Sequence, residues 1–233
     1  MRLDKFLSDC TDMSRKEIKE LIKKKQVTVS GEVVTRPETQ VDENATVTVL
    51  GNAVSYKKFI YLILNKPQGY VSATEDREYP TVCDLVAEEY GHFNVFPVGR
   101  LDIDTEGLLI LTNDGGFAHD IMSPKKNVYK RYFARLDRAV EDKDIGEFKA
   151  GMEFKDFTAK PAILEKTQNP DEAFVEICEG KFHQVKRMFE RVGKTVTYLK
   201  RVSIGGLVLP DNLELGKVKE MTLEEMEKAI FNK

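Results

Sequence analysis

The stretch Val98–Gly116, "VGRLDIDTEGLLILTNDGG", decides how the rest of the chain is read. Leu108 to Leu111 form a short, unbroken apolar run continuing into Thr112, too short for a helix and bounded by glycine before it and by Asn-Asp-Gly-Gly after it. That combination reads as a strand buried in a sheet and flanked by turns. Gly99 and Gly107 frame a loop in front of the strand, and the loop carries Arg100, Asp102, Asp104 and Glu106. A carboxylate beside a buried segment is costly unless a cation pairs with it or chemistry uses it. Arg100 lies two residues from Asp102, and Lys186 and Arg187 sit on a later predicted helix. On spacing alone two readings of Asp102 stay open: a side chain closing an Asx turn, or a carboxylate held ionised as nucleophile or general base. Asp104 reads as a loop-capping acid. The loop does not match a dinucleotide fingerprint, which needs three glycines between a strand and a helix.

Outward from this loop the pattern mixes strands and helices without a strict alternation. "FIYLILNKPQGYVSA" opens with an apolar run, Phe59 to Leu64, that favours a buried strand ended by Pro67 and Gly69. "TVCDLVAEEY" reads as a short helix, "NDGG" as a turn and "FAHDIM" as a helical turn. "KRYFARL" alternates as a strand, "FTAKPAILEKT" and "EAFVEICEG" as a further pair, and "HQVKRMFERVG" is a helix stopped by Gly193. "TVTYLKRVSIGGLVL" is strand-like with a bend at Gly205-Gly206, and "TLEEMEKAI" reads as a terminal helix. The expected class is α+β: a small N-terminal α/β domain over 1–56, then a larger domain over 57–233 with a central mixed sheet flanked by helices.

The first sixty residues have their own logic. Leu3, Phe6 and Leu7 share one helical face; Ser14 and Glu17 have capping-box spacing before Ile18, Leu21 and Ile22. "QVTVSGEVV" then alternates around Ser30-Gly31, a hairpin signal, and Val41, Val47 and Val49 suggest further short strands. The unit is expected to end near Gly51, with "GNAVSYKK" as a polar linker.

Composition sets limits. With 41% hydrophobic and 32% charged residues the chain reads as soluble and globular. No apolar run reaches membrane-spanning length and the start lacks the apolar core of a signal peptide. Three distant cysteines and three histidines show no ligand spacing, so the expectation is a reduced cytoplasmic protein with no metal and no cofactor. The net charge of −3 hides local basic patches: eight Lys/Arg against five Asp/Glu over 1–25, six against one over 123–138, and seven against two over 179–201. Such patches attract phosphate locally, though any one of them can equally be a solvated helix face.

Two resemblances sharpen these expectations. "RLDKFL" and "SRKEIKELIKKKQVTVSGEVV", with the spacing between them, resemble the S-four RNA-binding domain. The likeness implies phosphate contacts at Arg2, Arg15, Lys16, Lys19 and Lys23. Further on, "NKPQG", "GRLDIDTEGLLILTNDG", "KRYFARL" and "EGKFHQVKRMFERVG" follow in the order seen in pseudouridine synthases. More narrowly, essentially the whole chain resembles the small-subunit ribosomal RNA pseudouridine synthases, the RsuA family. That resemblance implies that Asp102 is the catalytic aspartate, attacking the target uridine at ribose or base. It implies that Tyr132 stacks on the extruded base and that Lys186 pairs with Asp102, where wider relatives carry arginine. Arg187, about 100° from Lys186 around the helix, is expected at RNA phosphates; Arg100 either binds phosphate or packs on the loop. The implied partner is 16S ribosomal RNA, at uridine 516, or an assembling small subunit, acted on by a monomer away from any membrane. Two alternatives stay open: a relative acting on 23S or transfer RNA, and a non-catalytic ribosome-assembly protein.

Overall fold

The computed structural model describes residues 1–11, 13–54 and 56–231. They form two compact units, one of Met1–Ile60 with Ala87–Val95, the other of Tyr61–Val86 with the chain from Phe96 onward.

In the first unit the helices Leu3–Cys10 and Arg15–Lys23 pack Leu3, Phe6, Leu7, Ile18 and Ile22 against Val27, Val47 and Val49. The second helix is started by a reciprocal cap: Ser14 N–H donates to Glu17 Oε2 at 2.8 Å, and Glu17 N–H donates to Ser14 Oγ at 3.3 Å. A four-stranded antiparallel sheet follows, with strands Val27–Val29, Glu32–Val33, Val47–Val49 and Asn52–Val54. The expected hairpin is there, with Ser30 and Gly31 both at positive φ (51° and 85°). The first part of the stretch read as a linker is a strand, and Ser55 within it lies outside the described residues. Leu50 and Gly51 also take positive φ (52° and 84°), reversing the chain so that Asn52–Val54 pairs with Val47–Val49. Two successive positive-φ residues are what a tight hairpin needs, and Leu50 disguised the signal. Ala87–Tyr90, read as part of a helix in the larger domain, is grouped with this unit, where Gly91–Phe93 lies beside the helix Leu3–Cys10.

The second unit is built on a nine-stranded mixed sheet. Its main path runs Ile163–Lys166, Glu172–Ile177, Lys130–Leu136, Val196–Ile204, Glu106–Thr112, Tyr61–Lys66, Val218–Met221. One pairing is parallel, between Val196–Ile204 and Glu106–Thr112; it places Lys200 opposite Glu106 and Arg201 opposite Gly107. On the far side of Val196–Ile204, Arg201 stands opposite Tyr132 and Ile204 opposite Lys130. Tyr61–Lys66 is buried at every position and Glu106–Thr112 at all but its first, as their unbroken apolar runs require.

Helices seal the sheet. The "NDGG" turn begins one: Asp114 accepts N–H bonds from Gly116 and Phe117 at 3.0 and 3.1 Å, capping the helix Gly115–Met122. Phe117 and Ile121 from this helix, and Met226 and Ile230 from the helix Leu223–Phe231, pack on Leu108, Ile110 and Ile204. The helix Asp142–Ala150, absent from the sequence reading, buries Phe148 against Phe189 of the helix Gln184–Arg191. Lys194, just past that second helix, reaches the buried carboxylate of Asp144 at 2.7 Å, so the helix carrying Lys186 is anchored at its far end.

Candidate active site

The loop between Val98 and Glu106 is held from beneath by a lysine. Lys66 is fully buried and its ammonium donates to the carbonyls of Pro67 (3.1 Å), Asp102 (3.0 Å), Ile103 (3.4 Å) and Thr105 (2.9 Å). Burial, with no carboxylate bonded to it, pushes its pKa down to about 8. Ser72 adds a second tie: its hydroxyl accepts from Leu101 N–H at 3.0 Å and donates to Leu101 O at 2.9 Å. The backbone under Asp102 is thereby fixed by groups outside its own strand.

Asp102 faces the start of the helix Gln184–Arg191. Lys186 Nζ lies 3.2 Å from Asp102 Oδ2 and 2.5 Å from Asp104 Oδ1. Lys186 therefore joins the two carboxylates, and its shorter contact is to Asp104, which the sequence had presented only as a loop cap. Burial works against the charge on Lys186, but its hydrogen bond to Asp104 and the nearby Asp102 outweigh it and raise its pKa. Burial likewise opposes ionisation of Asp104, and its bond with Lys186 overcomes this and holds it below the ordinary range. His183, at φ 50°, precedes the helix with Nε2 3.6 Å from Asp102 Oδ1.

Asp102, His183 and Lys186 line a cavity of about 320 Å³ together with Tyr132, Lys130 and Arg201. Tyr132 is buried on the strand Lys130–Leu136, whose inward positions are Lys130, Tyr132, Ala134 and Leu136. Arg201 is buried too: its Nε donates to Leu108 O at 2.7 Å and its Nη1 to the Tyr132 hydroxyl at 3.5 Å. Lys130 Nζ donates to Val128 O at 2.6 Å, and burial lowers its pKa to about 8. Among the described residues neither Lys130 nor Arg201 has a carboxylate partner. A cavity with an ion-paired carboxylate at its mouth, an aromatic ring in its wall and two buried cations can hold a flat, polar ring that becomes negatively charged.

Asp102, Tyr132 and Lys186 thus come together from three distant segments. The expected phosphate contacts divide. Arg15, Lys16, Lys19 and Lys23 are exposed along the helix Arg15–Lys23, and Arg100 is exposed at the cavity rim with no ion pair among the described residues. Arg2 is engaged by Asp4 at 2.9 and 2.8 Å. Arg187 is engaged by Asp156 at 3.0 and 2.5 Å, with its guanidinium over the rings of Phe154 and Phe157. Neither fork is free for a phosphate while those pairs hold. Lys66, Lys130 and Arg201 escaped the sequence reading, although each is a cation in register with buried apolar positions, an anomaly that marks a structural or functional need. Among the described residues no group of three or more His, Cys, Asp and Glu is arranged to hold a metal, and no helix is long and apolar enough to cross a membrane.

Residues 60–191 match the RNA pseudouridylate synthase family and residues 1–47 the S4 domain. An RNA pseudouridine synthase of Aquifex aeolicus, described as uncharacterized, is 45% identical over 97% of this chain and 94% of its own. The ribosomal small subunit pseudouridine synthase A of Escherichia coli is 38% identical over 99% of this chain and 100% of its own. A crystallised pseudouridylate synthase, 33% identical, superimposes with a TM-score of 0.69 over 99% of this chain and 100% of its own. The chain belongs to the RNA pseudouridylate synthases, enzymes that isomerise uridine within RNA, and it carries an S4 RNA-binding domain.

Proposed function

We propose that this protein converts one uridine of small-subunit ribosomal RNA, uridine 516 of the 16S molecule, to pseudouridine, with Asp102 as the attacking carboxylate. The observation that carries the reading is Asp102 itself: a carboxylate fixed through its own backbone by Lys66, beside Lys186, at the mouth of a cavity walled by Tyr132. An extruded uridine enters the cavity and its base lies against Tyr132. Asp102 attacks and the C1′–N1 bond breaks, its electron pair passing to the base. The resulting negative charge lies near Arg201 and Lys130, preorganised donors of the kind that stabilise such charge. The base turns while held, C5 bonds to C1′ as Asp102 leaves, C5 loses its proton and N1 gains one. No atom is gained or lost, and no redox step is involved.

The exposed cations of the helix Arg15–Lys23 suit phosphate contacts that give affinity without reading sequence. In this reading 1–56 docks RNA and 57–233 does the chemistry. The small-subunit target rests on the likeness to the E. coli enzyme. Mapping pseudouridines in ribosomal RNA from cells with and without the gene tests it: one 16S position should lose its modification and regain it on complementation. Loss from 23S or transfer RNA instead would redirect the assignment.

A further inference from the structure

A second cavity, of about 420 Å³, adjoins the first and shares with it Arg100, Leu101, Asp102, Phe182 and His183. Its other lining includes Ser72 and Asp76. Phe182 is 66% exposed, more than any other large apolar side chain among the described residues of this unit. It is not on a loose loop. Gln184, itself buried, accepts from Lys181 N–H at 3.0 Å, donates to Glu179 Oε1 at 3.0 Å, and its own N–H donates to Lys181 O at 3.2 Å. The Phe182 ring stacks on His183 with centroids 3.9 Å apart and planes at 17°. Elsewhere in the lining of the second cavity, Ser72 and Leu101 are tied by paired hydrogen bonds. An exposed aromatic ring that lines two adjoining cavities offers a nucleic-acid base a face to stack on.

We infer that the second cavity takes the base of the nucleotide next to the target uridine, stacked on Phe182, with the phosphate between them at Arg100. The inference rests on the function proposed above. Flipping one base out of RNA strips its neighbour of a stacking partner, and an aromatic platform restores that contact without regard to base identity. The linking phosphate must cross the rim that both cavities share. Arg100 is exposed there and free of ion pairs among the described residues. Asp76, the acid of the second cavity besides the shared Asp102, accepts N–H bonds from Glu78 and Tyr79 at 2.9 and 3.0 Å. That leaves the Arg100 side for the phosphate and the Phe182 side for the base.

The test uses the full-length protein and a 16S RNA fragment containing the proposed target. Phe182→Ala and Phe182→Leu should raise KM about 5- to 150-fold, the range of one base stacked on an aromatic ring. The single-turnover rate at saturating RNA should stay within about threefold of wild type, because Phe182 does not touch the reacting atoms; Phe182→Trp should restore KM. With 2-aminopurine placed on either side of the target, wild type should quench one of the two probes and Phe182→Leu should not. Arg100→Gln should lower the salt dependence of binding by about one phosphate contact. Unchanged KM together with unchanged quenching at both positions would overturn the inference. So would a fall in saturated rate at unchanged KM, which would assign Phe182 to the reacting base. A wild-type protein that converts no uridine in the fragment would overturn the proposed function and this inference with it, and the wild-type arm alone separates that outcome from the others.

Discussion

Replacing Gly107 by alanine should damage this protein more than any other single methyl group near the site. Gly107 begins the buried run of its strand at φ +105°, where it pairs in parallel with Arg201. A Cβ built there would lie 2.2 Å from Arg201 O, 2.8 Å from Arg201 N and 3.0 Å from Arg201 C. All three are backbone atoms of a central strand, so no side chain can swing aside. Two costs add: about 1–2 kcal/mol for an L-residue at positive φ, and about 1–3 kcal/mol for overpacking that forces backbone to shift. At roughly 2–4 °C per kcal/mol for a domain of this size, a loss of about 2–5 kcal/mol lowers the melting temperature by roughly 5–20 °C. Gly69→Ala is the internal control. Gly69 has φ +86° but nothing within 4 Å of the added carbon, so only the conformational cost of about 1–2 kcal/mol applies. Thermal unfolding of both variants, with single-turnover pseudouridine formation, checks the difference. Activity should fall at least about tenfold in Gly107→Ala even where it is folded, because separating these strands moves Arg201 and the Asp102 loop, and small misplacements at a site are costly. Equal melting temperatures for the two variants would refute the close approach of the strands and the reasoning built on it.

Other expectations follow from the same site. Asp102→Asn should abolish turnover while RNA binding, measured by filter retention, stays near wild type; residual conversion at a modest fraction of the wild-type rate would remove Asp102 from the chemistry. Lys186→Met should slow single turnover by about a hundredfold or more, as loss of a preorganised charge does, whereas Asp104→Asn should cost less than about tenfold because Lys186 keeps Asp102; the reverse order would make Asp104 the essential partner. Lys66 gives a pH signature. Its folded pKa of about 8 lies below the roughly 10.4 of an unfolded lysine, so between those values the folded protein holds fewer protons and stability rises with pH. Urea unfolding at pH 7.5 and pH 10 should show a rise in wild type that exceeds that in Lys66→Met, by at most about 3 kcal/mol; parallel behaviour of the two proteins would show that Lys66 is not buried in its charged form.

Much of this architecture is legible from short-range pattern. The apolar runs at Tyr61–Lys66 and Glu106–Thr112, the alternation of Lys130–Leu136 and the Ser14–Glu17 cap each express a local rule, a side-chain period or a hydrogen bond three residues long. Local rules failed where an unusual residue filled a demanding position. Leu50, not a glycine or asparagine, takes the first positive φ of a hairpin, and so a strand passed for a linker. The helix Asp142–Ala150 is polar on most of its surface and drives in one large apolar side chain, Phe148, too little to set a period.

Sequence by itself determined which residues are candidates for the site, because Asp102, Tyr132 and Lys186 stand in motifs whose spacing survives without a structure. It also determined that a carboxylate would lie against a buried strand and need a cation. Only the tertiary structure decided which cation and on what terms. Lys186 is 82 residues from Asp104 along the chain, and whether it meets one carboxylate or two depends on how the Gln184–Arg191 helix is set down after its strand. The same holds for Lys66, whose four carbonyl partners lie on two separate loops, and for Arg201, delivered beside Tyr132 by strand order. It holds for Arg187, engaged by Asp156 from 31 residues away along the chain. Hydrophobic period is a property of neighbours in sequence, whereas a buried charge is defined by its neighbours in space, and those exist only after the sheet has closed around it.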